Sequence, residues 1–222
     1  MKICVIIPAL NEEKKISGLV KAVKSYGLFV LVIDDGSTDS TKQSAEESGA
    51  EVIRNSPNIG KGASLIIGFN YALKNGFDAV ITMDGDGQHL PGEIPSFISS
   101  AESNADILVG NRMVGCKNMP FVRLLTNRFM SWLISIIAKQ QIPDTQCGYR
   151  LIKRTVLERV KFDTLRYETE SEILIKAARL GYKIQSVPIK TVYSDEKSRI
   201  NPFIDTLRFI KLIIRQLWMT RH

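Results

Sequence analysis

Two carboxylates stand one residue apart in Asp84-Gly85-Asp86-Gly87-Gln88-His89, with a glycine after each. Glycine releases the backbone from strand geometry, so both acids can turn toward one point. Oxygen ligands in that arrangement suit a hard divalent cation, Mg²⁺ or Mn²⁺, which commonly bridges a few carboxylates to substrate phosphates. Such an ion stabilises the negative charge that a departing diphosphate acquires. The segment is not an EF-hand loop, because the spaced ligands and closing glutamate are missing. Asp-Gly pairs also make good turns, so these residues alone leave a solvated turn as an equal alternative.

A second acidic segment, Asp34-Asp35-Gly36-Ser37-Thr38-Asp39, offers Asp34 and Asp35 as acceptors for a base edge or ribose hydroxyls. Two adjacent acids at the end of a buried strand are costly without a partner, which favours a ligand role. Ser37 and Thr38 read more simply as helix caps. Asn58-Ile59-Gly60-Lys61-Gly62 matches neither the dinucleotide fingerprint nor the P-loop, yet it can bring Lys61 to a phosphate or base. Asp144-Thr145-Gln146-Cys147-Gly148-Tyr149-Arg150 carries an acid with two open roles, a general base toward a hydroxyl or an orienting group. Cys147 has no histidine beside it and reads as packing. His89 reads as a loop residue rather than a metal ligand. Glu168 and Glu170 fall at a helix start, where acids suit the dipole whatever the function.

Residues so far apart in sequence need a scaffold that gathers them. Over the first 110 residues strand and helix signals alternate. Ile3–Pro8 and Leu28–Ile33 are continuous apolar runs, as expected of strands covered on both faces. Between them a helix carries Ile16, Leu19, Val20 and Val23 on one face. A helix after Ser37-Thr38-Asp39, a short strand at Glu51–Arg54, a helix at Ala63–Lys74, a strand at Asp78–Met83, a helix over 92–103 and a strand at Asp106–Arg112 follow. This pattern predicts an α/β fold with a mostly parallel, doubly wound sheet and helices on both faces. Ligands then sit at the carboxyl ends of the strands, where Asn11, Asp34-Asp35 and Asp84-Asp86 all fall. Further on, Phe121–Lys139 and Glu168–Leu180 read as helices and Lys183–Val192 as a strand with Pro188 near an edge. A terminal helix is expected from Asn201-Pro202.

At 222 residues the chain suits one large domain, or one with an extension. Its three cysteines, Cys4, Cys116 and Cys147, are scattered, which fits a reduced, cytosolic setting. No secretory signal is expected, because the opening apolar run meets Asn11-Glu12-Glu13 within a few residues. Nor is a span expected, because the longest uncharged apolar run, Phe129 to Ala138, is about half of the ~20 residues a bilayer needs. The net charge of +7 is uneven: residues 107–161 carry ten Lys/Arg against two acids, and residues 197–222 six against one. Such clustering points to a polyanion, either phosphates or an acidic membrane face. Nucleic acid fits poorly, since the basic residues lie on apolar helices with little aromatic stacking surface. In the terminal helix Phe203, Leu207, Ile210, Ile214 and Leu217 form a stripe flanked by Arg208, Lys211 and Arg215, with Trp218 beyond; the reading is an interfacial helix lying on a membrane. Packing on the sheet or dimer formation is the alternative for both this helix and Phe121–Lys139.

Taken in order, PALNEE, DDGSTD, NIGKG, DGDGQH, GNR and DTQCGYR resemble family 2 glycosyltransferases of the GT-A fold. Within them the chain looks most like the group acting on polyprenyl (dolichol) phosphates, over roughly residues 1–195. The resemblance implies that Pro8, Asn11, Glu12, Asp34, Asp35 and Lys61 surround the nucleotide. It implies that Asp84, Asp86 and Gln88 hold Mg²⁺ or Mn²⁺ and the donor diphosphate, and that Arg112 and Arg128 face an acceptor phosphate. Asp144 would be the base or an orienting acid. The expectation is an inverting, metal-dependent hexosyltransferase using a GDP-mannose or UDP-glucose class donor and a polyprenyl phosphate acceptor. It would comprise a domain over 1–195 and a basic amphipathic helix over 196–222. It would attach peripherally to the cytoplasmic face of a membrane, alone, as a dimer, or through an anchored partner. A same-fold enzyme acting on a saccharide hydroxyl is the rival, and a non-catalytic nucleotide-sugar or membrane-binding module is disfavoured by the intact Asp84-Asp86 pair.

Overall fold

The computed structural model describes residues 1–114, 119, 121–190 and 208–215. Seven strands form one sheet: β1 (Ile3–Ala9), β2 (Phe29–Asp34), β3 (Glu51–Arg54), β4 (Ala79–Thr82), β5 (Ile107–Asn111), β6 (Arg150–Lys153) and β7 (Ile184–Pro188). Their order is β3-β2-β1-β4-β6-β5-β7. The apolar runs at β1, β4 and β5 are buried along their whole length, as expected of strands sandwiched between helices. The helices are α1 (Glu13–Lys24), α2 (Thr41–Glu47), α3 (Lys61–Lys74), α4 (Ile94–Ser100), α5 (Phe121–Ala138), α6 (Arg154–Arg159) and α7 (Thr169–Arg179). The anticipated α/β class and mostly parallel sheet are present. In α1 the buried residues are Ile16, Leu19, Val20 and Val23, the face its periodicity marks. α3 lies so close to β1 that a Cβ at Gly68 would stand 2.6 Å from Ile6 Cγ2.

Sequence periodicity missed β6, the one strand that runs against its neighbours. It pairs antiparallel with both β4 and β5, placing Thr82 opposite Arg150 and Leu108 opposite Leu151. The reversal matters for chemistry. The parallel strands deliver their carboxyl ends to one edge of the sheet, and β6 delivers its amino end to that same edge. The loop carrying Asp144 to Tyr149 therefore joins Ala9, Asp34 and Met83 on a common rim.

Two boundaries also moved. The helix expected over 92–103 is a 3₁₀ turn at Pro91–Glu93 followed by α4, and β7 stops at Pro188, on the sheet edge. Proline supplies no N–H to extend a ladder, so an edge position tolerates it.

Residues 208–215 are helical, with Phe209, Leu212 and Ile213 buried and Arg215 Nη2 3.2 Å from Asp163 Oδ2. Of the stripe anticipated there, Phe203, Leu207 and Leu217 lie outside the described residues, as do Trp218 and Cys116. Ile210 and Ile214 are exposed. The segment is apolar on two sides, and Phe209, Leu212 and Ile213, equally apolar, take the protein side.

Candidate active site

The rim begins with two loops laced together. After β1, Asn11 takes a left-handed φ of 51° and its N–H donates to Ser37 Oγ at 2.9 Å. Its side-chain oxygen accepts the Thr38 N–H at 2.8 Å, while the Glu12 N–H donates to Thr41 Oγ1 at 2.7 Å. Asparagine tolerates this φ better than most residues because its short amide bonds locally. Asn11 and Glu12 thus fix the first loop against the second. Pro8 is buried in β1 opposite Ile33, and beyond Ile6 the ladder to β4 ends, so its missing N–H is not needed on that side. Its carbonyl lies where a Cβ on Gly85 would come within 3.2 Å, so Pro8 seats the Asp84-Gly85-Asp86 turn.

Asp34 and Asp35, adjacent in sequence, do different things. Asp35 accepts from Asn55 Nδ2 at 2.9 Å, Ile59 N–H at 3.0 Å and Gly60 N–H at 2.8 Å. It holds the Asn58–Lys61 loop in shape. Asp34 is fully buried; Oδ1 accepts the Ser37 N–H, and Oδ2 lies 3.3 Å from Arg54 Nε with no hydrogen bond among the described residues. A buried carboxylate oxygen left without a hydrogen-bond donor is costly, and the Arg54 guanidinium beside it offsets part of that cost.

At the centre, Lys61 begins α3 and reaches Asp84 Oδ1 at 2.6 Å and Glu170 Oε2 at 3.0 Å. Burial alone would depress the Lys61 ammonium, but Asp84 first and Glu170 second more than offset it and hold it above the usual lysine range. Burial likewise opposes ionisation of Asp84, yet Lys61 holds its carboxyl well below the usual range. His89 is pushed down by burial against the pull of Asp84, and its Nδ1 accepts the Asp84 N–H at 2.9 Å. A neutral ring with its proton on Nε2 satisfies both facts, that nitrogen standing 3.9 Å from Asp84 Oδ2. Asp86 accepts from Gln88 N–H at 3.0 Å and Gln88 Nε2 at 2.8 Å, and its backbone carbonyl accepts Lys15 Nζ. Gln88 therefore orients Asp86 through its side-chain amide nitrogen and its backbone N–H. At position 148 a Cβ would meet Glu170 Oε1 at 2.8 Å and both Asp84 Oδ1 and Lys61 Nζ at 3.1 Å, so any larger residue must push one of these side chains aside.

Beside this cluster Arg112 and Asp144 form a buried, two-pronged ion pair, Nε to Oδ2 at 2.7 Å and Nη2 to Oδ1 at 2.8 Å. Arg128 is exposed on α5 and shares no hydrogen bond with that pair among the described residues. The loop behind Asp144 is organised by Arg150, almost wholly buried, whose guanidinium donates to the carbonyls of Cys147, Thr145 and Glu170. From α5, Ser131 Oγ accepts the Thr145 N–H at 2.9 Å. Cys147 is buried and its thiol is pushed up to about 12 by that burial, the unreactive packing residue its surroundings in sequence indicate.

Sequence reasoning weighed Glu170 chiefly as a dipole acid, without its pairing to Lys61, and gave no role to Arg150, Asn55 or Lys15. An acid in a first helical turn is expected on dipole grounds, so Glu170 carries no separate signal. A motif arginine followed by apolar residues does not reveal that it bonds three carbonyls.

The residues present fit a divalent cation that arrives with phosphates. Among the described residues no three His, Cys, Asp or Glu side chains converge, so a divalent cation at Asp84 and Asp86 would need its remaining ligands from elsewhere. Mg²⁺ and Mn²⁺ sites are commonly completed by substrate phosphate and water.

Carboxylates at strand ends, a lysine at a helix start and a further acid brought in beside a reversed strand thus gather on one rim of the sheet. The chain belongs to glycosyl transferase family 2, whose family model matches residues 4–161. It is 32% identical over 217 residues to a UDP-N-acetylglucosamine–dolichyl-phosphate N-acetylglucosaminyltransferase of Methanococcus voltae, covering 87% of this chain and 86% of that one. It is 29% identical over 199 residues to a polyprenol monophosphomannose synthase of Mycolicibacterium smegmatis, covering 83% and 75% respectively. The fold is shared with glucosyl-3-phosphoglycerate synthase of Mycobacterium tuberculosis, solved with Mn²⁺, UDP and phosphoglyceric acid: TM-score 0.74, 21% identity, 97% of this chain and 77% of that one. The chain is a glycosyltransferase.

Proposed function

We propose that this enzyme moves a hexose from a nucleotide diphosphate sugar of the GDP-mannose or UDP-glucose class to a polyprenyl phosphate, with inversion, while docked on the cytoplasmic face of a membrane. The observation that carries the acceptor is the state of Asp144. Both of its oxygens are taken by Arg112, and Oδ2 accepts the Arg112 backbone N–H as well. A sugar hydroxyl needs a base to remove its proton in the transition state. A phosphate oxygen is already anionic and needs none. Asp144 therefore acts by holding Arg112 rigid, and the guanidinium presents donors suited to a phosphate. Arg128 joins it as a second cation for the acceptor.

Donor recognition falls to the opposite wall. Asp34 Oδ2 accepts from the base or ribose, with Asn11 and Glu12 fixing that loop and Asp35 shaping the Lys61 loop. Lys61 pairs with the donor diphosphate. Asp84, Asp86 and Gln88 would hold Mg²⁺ or Mn²⁺, which when bound supplies charge stabilisation to the leaving diphosphate. The arginines orient the acceptor so that its oxygen meets the anomeric carbon opposite that leaving group.

A lipid surface is supported by α5. By length and composition it could cross a bilayer, but Asn127, Ser131, Ile134 and Ala138 bury one side of it. Phe121, Val122, Leu125, Phe129, Trp132 and Ile136 are exposed, the first two by 76% and 75%. An apolar outer face flanked by Arg123 and Arg128 suits a helix lying in the interface of an anionic leaflet. The side bonded to the Asp144 loop and the side facing lipid are then two faces of one helix. The helical segment 208–215 likewise exposes Ile210, Ile214, Arg208 and Lys211, a second apolar and basic face suited to an anionic leaflet.

The test compares two acceptors differing only in the phosphate. With labelled donor, polyprenyl phosphate should give organic-extractable label and free polyprenol none. Equal labelling of the alcohol would reject the phosphate-acceptor reading and restore a base role for Asp144.

A further inference from the structure

We propose that Lys61 is the cation that occupies Asp84 while the donor is absent, parked there by Glu170, so that divalent cation and nucleotide enter the site together rather than one after the other. The inference rests on the donor-site reading above and adds a role for Glu170. Lys61 Nζ is 2.6 Å from Asp84 Oδ1 and 3.0 Å from Glu170 Oε2, and the three side chains are only 18%, 30% and 15% exposed. Few waters compete at such a site, so ion pairing there is stronger than on the surface. The space is held open for this contact, because Gly148 is the residue that any Cβ would turn into an obstruction. The backbone of Glu170 is anchored, its carbonyl accepting from Arg150, which also bonds the Thr145 and Cys147 carbonyls.

Charge decides the order of binding. Asp84 is the strand-end acid best placed for a metal, yet one of its oxygens is committed to an ammonium. A divalent cation arriving alone meets that positive charge beside its ligand, with Asp84 Oδ1 already held by the ammonium. A diphosphate brings negative charge that draws Lys61 from Asp84, while Glu170 retains the ammonium at the edge of the site. Asp84 is then released to the cation as the phosphate gains a lysine. Glu170 is a positioning residue: it decides where Lys61 rests and how far it travels.

Mn²⁺ binding to the full chain, measured by calorimetry or by loss of the free-ion magnetic resonance signal, tests this without turnover. Wild-type protein should bind Mn²⁺ weakly alone and about tenfold or more tightly with GDP or UDP present. Lys61→Met, which leaves Asp84 unpaired, should tighten Mn²⁺ binding in the absence of nucleotide by about tenfold or more and lose most of the nucleotide effect. Lys61→Arg, keeping the charge, should stay close to wild type, which guards against a folding defect in the methionine variant. Glu170→Gln should weaken GDP or UDP binding several-fold and leave Mn²⁺ alone weak, a split that a loss of folding would not produce. Unchanged Mn²⁺ affinity in Lys61→Met, with wild type still binding Mn²⁺ and nucleotide together, would overturn the proposal by itself. Failure of wild type to bind Mn²⁺ even with nucleotide would overturn the donor-site reading along with it.

Discussion

Asp144 meets Arg112 with both carboxylate oxygens, Oδ2 at 2.7 Å from Nε and Oδ1 at 2.8 Å from Nη2, and the pair is buried. Removing one partner of a buried pair leaves the other charge uncompensated, at a cost of about 3–5 kcal/mol. Asp144→Ala should therefore lower the unfolding midpoint strongly, and Asp144→Asn should lower it less, because its amide oxygen still accepts from Arg112, while weakening use of the acceptor. If Asp144 works through Arg112, the effects of Asp144→Asn and Arg112→Lys on acceptor KM will not add in the double variant. Additive effects would show that the two residues act separately.

Asp34 and Asp35 should separate cleanly. Asp35→Ala strands the donors of Asn55, Ile59 and Gly60 and should cost roughly 3 kcal/mol of stability. Asp34→Asn disturbs one backbone bond and the approach of Arg54, so its main effect should be on donor KM. Thermal unfolding beside donor titration reads both.

Gly148→Ala is expected to damage donor binding more than its size suggests. A Cβ 2.8 Å from Glu170 Oε1 forces the acid, Lys61 or Asp84 aside, at about 1–3 kcal/mol of strain. The donor KM should rise while secondary structure, followed by circular dichroism, stays intact.

Phe129→Ser with Trp132→Ser removes two exposed aromatic side chains from α5 without touching the core. Stability should change by less than about 0.5 kcal/mol per site. Sedimentation with anionic vesicles should fall by about tenfold or more. Unchanged vesicle binding, or a dimer that dissociates, would assign this face to another copy of the chain.

Cys4 and Cys147 are both pushed up to about 12 by burial, with Lys2 and Arg112 opposing the shift respectively. At pH 8 roughly one thiol in ten thousand would be ionised, so neither should be alkylated by iodoacetamide before unfolding. The sign follows from linkage. The folded state keeps these protons to higher pH than the unfolded chain, so stability is full below about pH 8.5 and declines as pH rises toward the folded value. Site-resolved mass spectrometry and unfolding at pH 7 and pH 10 check the two statements.

The parts legible in sequence are those with short-range signals. Buried strands announce themselves as apolar runs, and acids following them mark the rim, which located Asp34, Asp84 and Asp86. Lys61 was legible as a loop lysine, but its pairing with Glu170 depends on residues over a hundred positions apart. β6 was missed because four residues, Arg-Leu-Ile-Lys, are too few to show a period, although this strand's reversal brings Asp144 to the site. In the terminal helix the stripe residues Ile210 and Ile214 are exposed, while Phe209, Leu212 and Ile213 pack inward; that inner side was not legible because it is as apolar as the stripe, and only packing tells which side is covered.

The central claim is metal-dependent transfer of a hexose to a lipid phosphate. The measurement is labelled hexose moving from GDP-mannose or UDP-glucose into polyprenyl phosphate, run with Mn²⁺, with EDTA, and with Asp84→Asn. The account predicts label in the organic phase with Mn²⁺, its loss with EDTA, and a drop of about a hundredfold or more in the variant. Label that persists in EDTA would contradict the metal's role, and donor binding without any lipid label would contradict the acceptor.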